Sequence, residues 1–571
     1  MAKQSIRPSQ IITTFGPGCV VDLPDDSVMI AGIDYWFDAN KPYKRITEPR
    51  LQTALNVAEF RTPPVGSFGN KDIPFVRFPR WRVCPGCSML SDRFRWPRGN
   101  PDLPPVPRCD KCNKATYPAR IVVACRRGHI ADFPWYHWVH RGQTCGGGSL
   151  YLKGEGRSAS LGDLRVECTC RKSQTLAGAL GADSMAAAGC ACPGTRPWLD
   201  DNTEDCKERL YAMQRGASNI YFSVTRSALS VPPWSDRLQS EVASFWGQFP
   251  TEPAPERWSA LISAKFPNED EQRVRRCIER LKQLRDAPLS IREEEFVVLT
   301  SDQDHSSLTF ETRRQALSPT VATYLATVVA ASRLREVRAL LGFTRIEAPE
   351  IDPTVESFAK TAPISLHVPE WLPAVENLGE GIFIRLNPDR LAKWERLPAV
   401  RKRARQLLDR YSAWRQERGL QALREPRPRL VLIHTLAHLL MRQMSLECGY
   451  SSASLRERIY AGNQMAGLLI YTSTPDSDGS LGGLVRQTSP PERFEGTLLS
   501  SVELAEICSG DPLCREHLAV LADKANGSAC HACCMVSETS CEMGNRLLDR
   551  GMVVSLPNMD AAGYFDFDRN G

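Results

Sequence analysis

Twenty of the 571 residues are cysteine, and most fall into three tight clusters, so a few shared points must tie together distant parts of the chain. The clearest cluster is Cys84-Pro85-Gly86-Cys87, then 21 residues, then Cys109-Asp110-Lys111-Cys112. A C-x-x-C turn can aim both sulfurs at one ion about 2.3 Å away, and two such turns complete a tetrahedral Zn2+ site. Backbone amides of each turn soften the thiolate charge. A redox C-x-x-C pair has no need of a second knuckle, so Cys84, Cys87, Cys109 and Cys112 are read as metal ligands of a zinc-ribbon-like module.

The second cluster holds Cys168-Thr169-Cys170, Cys190-Ala191-Cys192 and Cys206. Its expected ligands are Cys168, Cys170, Cys190 and Cys206, with Cys192 a bystander two residues from Cys190. Cys125, His129, Cys145 and Cys192 stay open as alternatives at this site. For His129 and His140 a hydrogen-bonded structural role is the plainer reading. The third cluster comprises Cys508, Cys514, Cys530-His531-Ala532-Cys533-Cys534 and Cys541. Here Cys514, Cys530, Cys533 and Cys541 are the expected ligands, Cys508 can replace Cys514, and Cys534 reads as a small apolar filler. Such sites act as staples, because bound metal contributes folding free energy where loops carry little core.

The chain is too long for one core, and about three or four domains are expected. It is 42% hydrophobic and 24% charged, the composition of an ordinary globular protein. No run of about 18 apolar residues is present, so no membrane span is expected. The first residues, Met1-Ala2-Lys3-Gln4-Ser5-Ile6-Arg7, lack a hydrophobic signal core. A cytoplasmic location and reduced thiols are therefore expected.

Four segments follow from the pattern: 1–77 strand-rich, 78–240 zinc-binding modules, 241–425 a largely helical middle with basic helices, and 426–571 a compact α/β unit with a Cys-rich metal site. The fold class is thus mixed α/β and multidomain. Ile11-Ile12-Thr13-Thr14-Phe15 and Cys19-Val20-Val21-Asp22-Leu23 read as strands around a Gly16-Pro17-Gly18 turn. Ile121 to Ala124 reads as a strand, and the Phe133, Trp135, Trp138 region as an aromatic packing corner. Glu241 to Leu284 and Pro319 to Leu341 read as helical, and Leu391 to Glu417 as basic helices broken at Pro398. The apolar run from Leu430 to Leu440 reads as a buried helix, and Gly467 to Tyr471 as a buried strand. Ser454-Leu455-Arg456-Glu457 has capping-box spacing and predicts a helix start.

Net charge is only +6, but residues 391 to 430 carry 12 Lys/Arg against 4 acids. Arg401, Lys402, Arg403 and Arg405 could meet a phosphate backbone there, although a solvated helix face explains them as well. No G-x-x-x-x-G-K-[ST] loop exists, so nucleotide hydrolysis by this chain alone is not expected. His434 and His438 lie four apart, yet Thr435 stands where an H-E-x-x-H hydrolase needs its glutamate. Asp476 and Asp478 offer only a weak Mg2+ site, and G-x-S-x-G is absent. The chain reads as non-catalytic. A metal-dependent nuclease and a stand-alone DNA-binding protein are the alternatives.

Several motifs resemble the DrmB family, core proteins of the DISARM antiphage defence system. They are Ser9-Gln10 with Phe15-Gly16-Pro17-Gly18, Gly128-His129-Ile130 with Asp132-Phe133-Pro134-Trp135, and Arg215-Gly216-Ala217-Ser218-Asn219. Leu334-Arg335-Glu336-Val337 and Gly342-Phe343-Thr344-Arg345 belong to the same set. His434 through His438, Ile470-Tyr471-Thr472-Ser473, Ser480-Leu481-Gly482-Gly483-Leu484, Glu538-Thr539-Ser540-Cys541-Glu542, Asn545 and Leu548-Asp549-Arg550 resemble its C-terminal domain. That domain also follows the motor core of some bacterial helicases, where its cysteines are linked to metal binding. The resemblance implies a zinc-binding subunit that partners a helicase-family ATPase of the DrmA type and engages DNA through the pair. It assigns no catalytic residue.

Overall fold

The computed structural model describes residues 6–24, 26–37, 43–64, 73–96, 106–143, 145–154, 161–200, 203–245, 255–286, 290–349, 361–417, 427–472, 482–516, 525–557, 559 and 562–566. It divides into two compact units, each assembled from separate stretches of chain. The first takes Met1–Ile46, Val57–Arg226 and Ala339–Val375, and the second takes Thr47–Asn56, Ser227–Arg338 and Glu376–Gly571. Both helices and sheets build the molecule, so the mixed α/β class holds.

Short antiparallel strands dominate the first unit. One sheet runs Ser173–Thr175, Leu164–Cys168, Leu150–Gly154, Met89–Ser91, Arg82–Val83, Tyr117–Pro118. Another flanks the fully buried strand Ile121–Cys125 with Ile130–Asp132 and Leu210–Gln214. The aromatic corner packs beside them: the rings of Phe133 and Trp135 stand 4.7 Å apart, those of Phe133 and Trp138 5.5 Å. Ile11 to Thr14 departs from expectation. Pro8–Thr13 is a helix, opened by Pro8 and capped where the Gln10 side chain accepts the Arg7 amide at 2.9 Å. Pro at the first turn and such a cap outweigh the β preference of two isoleucines.

Arg345 closes this unit. Its guanidinium is buried and donates to the carbonyls of Gly128 (2.8 Å), Gly18 (2.7 Å) and Ile220 (2.5 Å). It also lies 4.7 Å from the Phe343 ring and 5.4 Å from that of Trp198. Burial in this setting pulls its pKa down to about 10, against the pull of Cys19 and Tyr221, and three carbonyl acceptors solvate the charge that remains.

In the second unit, helices cover an antiparallel sheet. The expected helix over Pro319 to Leu341 is found only as Pro319–Tyr324, where the Ser318 hydroxyl caps the Val321 amide. Leu325–Thr344 is a strand. Val328 to Ala331 are all buried, and a run buried on both faces carries no period to tell strand from helix. Its β-branched residues favour the strand. Likewise Ser454 opens no helix: Leu455–Tyr460 is a strand paired with Gly467–Thr472. Glu457, placed by sequence as a capping carboxylate, is instead fully buried.

Other elements match their patterns. Arg237–Ser244, Pro255–Lys265 and Glu271–Asp286 pack around Trp258, Val274 and Ile278, with Cys277 filling space against them. Pro428–Cys448 is buried on every face from Val431 to Met441, starts at a proline and ends at Gly449 in the left-handed region. The basic stretch forms Pro388–Glu395 and Pro398–Glu417.

Candidate metal centres

Five groups of metal-ligating side chains stand out among the described residues, each with its four donor atoms within 4.8 Å of one another. Three lie in the first unit and two in the second.

Cys84, Cys87, Cys109 and Cys112 converge as the sequence predicts. The two knuckles share one geometry. The Ser88 amide bonds to the Cys84 carbonyl and the Asn113 amide to that of Cys109. Ser88 and Asn113, each just after a second cysteine, take left-handed backbone at φ 58° and 51°. The Gly86 amide donates to Cys84 Sγ at 3.3 Å.

The middle cysteines are regrouped by the fold. Cys125, His129, Cys192 and Cys206 form one group, and His140, Cys145, Cys168 and Cys170 another. Cys168 and Cys170 therefore sit in a different group from Cys206. Cys190 belongs to neither and packs against the apolar core instead. Cys125 ends one sheet strand and His129 follows in its hairpin turn, where Gly128 has φ 85°. Cys206 precedes Leu210–Gln214, the strand that pairs with Ile121–Cys125. His129 presents Nδ1 to Cys125 at 3.4 Å while Nε2 meets Glu204 at 2.9 Å. A carboxylate behind an imidazole fixes the tautomer and raises its basicity toward an ion. Hydrogen bonding from Cys125 pulls the Cys192 thiol down, against the effect of burial.

His140 ends the helix Trp135–His140 and gives Nδ1 to the Tyr136 carbonyl at 2.7 Å, freeing Nε2 to face Cys170 Sγ at 3.2 Å. Gly148 leaves room for this group, since a Cβ there would stand 2.5 Å from Cys168 Sγ. The signal for both histidines was present in the sequence: each lies four or five residues from a cysteine of its own group.

The C-terminal group is Cys508, Cys514, Cys530 and Cys533. Cys508 joins Cys514 rather than replacing it, and Cys541 is not a member. The Gly510 amide donates to Cys508 Sγ at 3.3 Å, repeating the contact at Cys84. Four thiolates on one Zn2+ leave a double negative charge, and the buried Arg550 guanidinium lies 3.7 Å from Cys514 Sγ to offset it. Cys534 is buried in the apolar core, as a filler should be.

Sulfur spacings test the fit to metal. A tetrahedral ion with bonds of about 2.3 Å holds its sulfurs about 3.8 Å apart. Observed separations are 3.6 Å for Cys87 and Cys109, 3.7 Å for Cys145 and Cys168, 3.5 Å for Cys508 and Cys530, and 3.7 Å for Cys514 and Cys533. A disulfide at about 2.05 Å is far shorter, and every cysteine of these groups is free. Four protein donors at one ion would close a tetrahedral coordination sphere and leave no position for substrate.

The fifth group joins His434 and His438 with Glu457 and Cys541, all buried. Its histidines are read from sequence as a core pair. The structure keeps them buried and places a carboxylate and a thiol against them.

Of the basic residues singled out for nucleic acid, Arg401, Lys402 and Arg405 are exposed on Pro398–Glu417. Arg403 is buried and grips Asp549 through two bonds of 2.6 and 3.0 Å, so it cannot reach a phosphate backbone. Asp476 and Asp478 lie outside the described residues. The glycine loop after them is engaged internally: the amides of Gly482, Leu484 and Val485 all donate to the Glu380 carboxylate, at 2.8, 2.9 and 3.2 Å. An internal anion already fills the amide nest at Gly482 to Val485, which therefore needs no ligand phosphate.

Comparison with known proteins agrees with the metal chemistry. Residues 436–534 match the MrfA Zn-binding domain, a span that contains all four cysteines of the C-terminal group but neither His434 nor Cys541. Residues 7–222 match a domain of unknown function, DUF8724. Zinc is accordingly the cofactor of the chain. No helix among the described residues is long and apolar enough to cross a membrane. The curated DISARM protein DrmB of Bacillus paralicheniformis is 34% identical over 581 aligned residues, covering 95% of this chain and 99% of the relative. With the motifs spread over both units and identity running nearly end to end, the chain belongs to the DISARM DrmB family.

Proposed function

We propose that this chain is the non-catalytic, zinc-stapled subunit of a cytoplasmic DISARM-type antiphage complex. A helicase-family ATPase of the DrmA type supplies its nucleotide chemistry, and DNA is engaged through the pair. The ligand sets are Cys84/Cys87/Cys109/Cys112, Cys125/His129/Cys192/Cys206, His140/Cys145/Cys168/Cys170 and Cys508/Cys514/Cys530/Cys533. One observation carries the reading: among the described residues, each candidate for chemistry is closed. The four ligand sets have no open position, the glycine loop holds Glu380, and His434 and His438 are sealed from solvent.

The same closure weighs against a nuclease built on those histidines, because a phosphodiester cannot reach a fully buried pair. Burial of Arg403 removes one of the four basic residues on which a stand-alone DNA-binding surface rested. The test is co-expression with the helicase-family subunit of the same defence system. The expected result is a stable complex whose ATP turnover belongs to the partner, with none from this chain alone. Robust turnover by the isolated chain, or failure to associate, overturns the proposal.

A further inference from the structure

The His434, His438, Glu457 and Cys541 group belongs to none of the four ligand sets above. The matched zinc-binding span of residues 436–534 also leaves out two of its four members. Three elements deliver it. Pro428–Cys448 presents His434 and His438 one turn apart on one face. Leu455–Tyr460 brings Glu457, and the tail after Cys534 brings Cys541. All four residues are buried, with both histidines at 0% exposure.

Lone pairs of four side chains converge here. His438 donates Nδ1–H to the Cys534 carbonyl at 2.8 Å, so its Nε2 is a bare acceptor. That Nε2 stands 3.4 Å from Glu457 Oε2, and neither atom has a hydrogen-bond partner. Two buried acceptors facing each other repel unless a cation lies between them. His434 Nε2 approaches the same point, 3.2 Å from Cys541 Sγ and 3.2 Å from Glu457 Oε1. The other contact of Oε1 is the Glu542 amide at 2.9 Å, which orients the carboxylate toward the histidines.

Cys541 carries the mark of the knuckles described above. Its Sγ accepts the amide two residues on, from Met543, at 3.2 Å, and that of Asn545 at 3.2 Å. The amide two residues on makes the same contact at Cys84 and Cys508. Amides aimed at sulfur favour thiolate, and a buried thiolate beside a carboxylate requires a counter-charge.

We propose that these residues form a fifth, closed site for a divalent ion of zinc type. Two neutral imidazoles, one carboxylate and one thiolate balance the two charges of such an ion. The complex is then neutral, as a site without solvent demands. A single proton could satisfy one facing pair, whereas a divalent ion satisfies all four donors together. Mixed nitrogen, oxygen and sulfur donors at tetrahedral spacing suit zinc over the harder Mg2+ and Ca2+.

The test is anomalous scattering at the zinc edge from crystals of the full chain, together with metal content of the protein in solution. The expected map shows a peak bounded by His434, His438, Glu457 and Cys541 besides those at the four cysteine-rich groups. Metal content should fall by one ion per chain in His438→Gln and in Cys541→Ser while the other peaks persist. Peaks at the four cysteine-rich groups and none here overturn the proposal, as do variants that fold with undiminished metal. Should both variants fail to fold, the map of the unsubstituted chain decides alone. A map without peaks anywhere overturns this site and also the ligand sets proposed for the other four, whereas peaks at those four alone overturn this site only.

Discussion

Replacing Arg403 with alanine separates the two meanings a basic helix can have. In the structure the Asp549 carboxylate receives two bonds from Arg403 and two backbone amides, from Ser528 at 3.1 Å and Gly551 at 3.0 Å. Both side chains are buried, at 5% and 0% exposure. The alanine variant keeps the amides but strands the anion, and removing one partner of a buried pair costs about 3–5 kcal/mol. At about 2 °C per kcal/mol for a unit of this size, the melting midpoint should drop by roughly 6–10 °C. Arg401→Ala and Arg405→Ala, on the exposed face, should stay within about 0.5 kcal/mol of the parent. Differential scanning calorimetry at equal zinc saturation measures all three. Adding Asp549→Ala to Arg403→Ala should recover part of the loss, because no charge is then left unpaired. If Arg403→Ala melts with the parent but weakens DNA binding more than its exposed neighbours do, the reasoning is wrong and this arginine faces nucleic acid.

Cys192→Ser should cost one zinc per chain by elemental analysis while Cys190→Ser costs none, since only the first faces Cys125, His129 and Cys206. Gly148→Ala should weaken zinc retention at the His140 group under chelator challenge, because its Cβ would press on Cys168 Sγ; retention equal to the parent would refute that. Glu336 should show a distinctive acid dependence. Burial alone would raise its carboxyl, but Arg338 and Arg456 outweigh that and hold it well below the usual range. A lowered carboxyl contributes stability that is complete above the unfolded value, about 4.3, and is lost as pH falls toward the folded one. The gap in urea midpoint between the parent and Glu336→Gln should therefore be constant from about pH 8 to 5 and shrink below about pH 4.3. A gap that changes near neutrality refutes this origin.

What the sequence disclosed depended on whether ligands were neighbours along the chain. Cys84/Cys87 and Cys109/Cys112 could be paired by eye because each knuckle is a local turn. The middle sites could not. His140, Cys145, Cys168 and Cys170 all fall between His129 and Cys192, so one site is nested inside another and spacing cannot sort their members. The strand Leu164–Cys168 and the pairing of Leu210–Gln214 with Ile121–Cys125 do the sorting, and both are long-range events. Cys541 was drawn to the C-terminal cluster by its short distance from Cys533, yet the fold turns it toward Pro428–Cys448. Helix and strand were confused where burial removes the period, as at Leu325–Thr344. Arg403 shows the converse limit: charge marks a surface only when the helix turns that residue outward.

The contacts of Arg345 set a timetable for biosynthesis. This side chain joins carbonyls 327, 217 and 125 residues upstream, so the first unit stays open until the ribosome has made that position and released it. Between Arg226, where the second stretch of that unit ends, and Arg345 lie more than a hundred residues, roughly 6–25 s of elongation at about 5–20 residues per second. Throughout that interval the carbonyls of Gly18, Gly128 and Ile220 lack their Arg345 donor, and the first unit lacks its Ala339–Val375 stretch. Truncations that stop near residue 240 freeze this state permanently and should be chaperone clients rather than stable fragments.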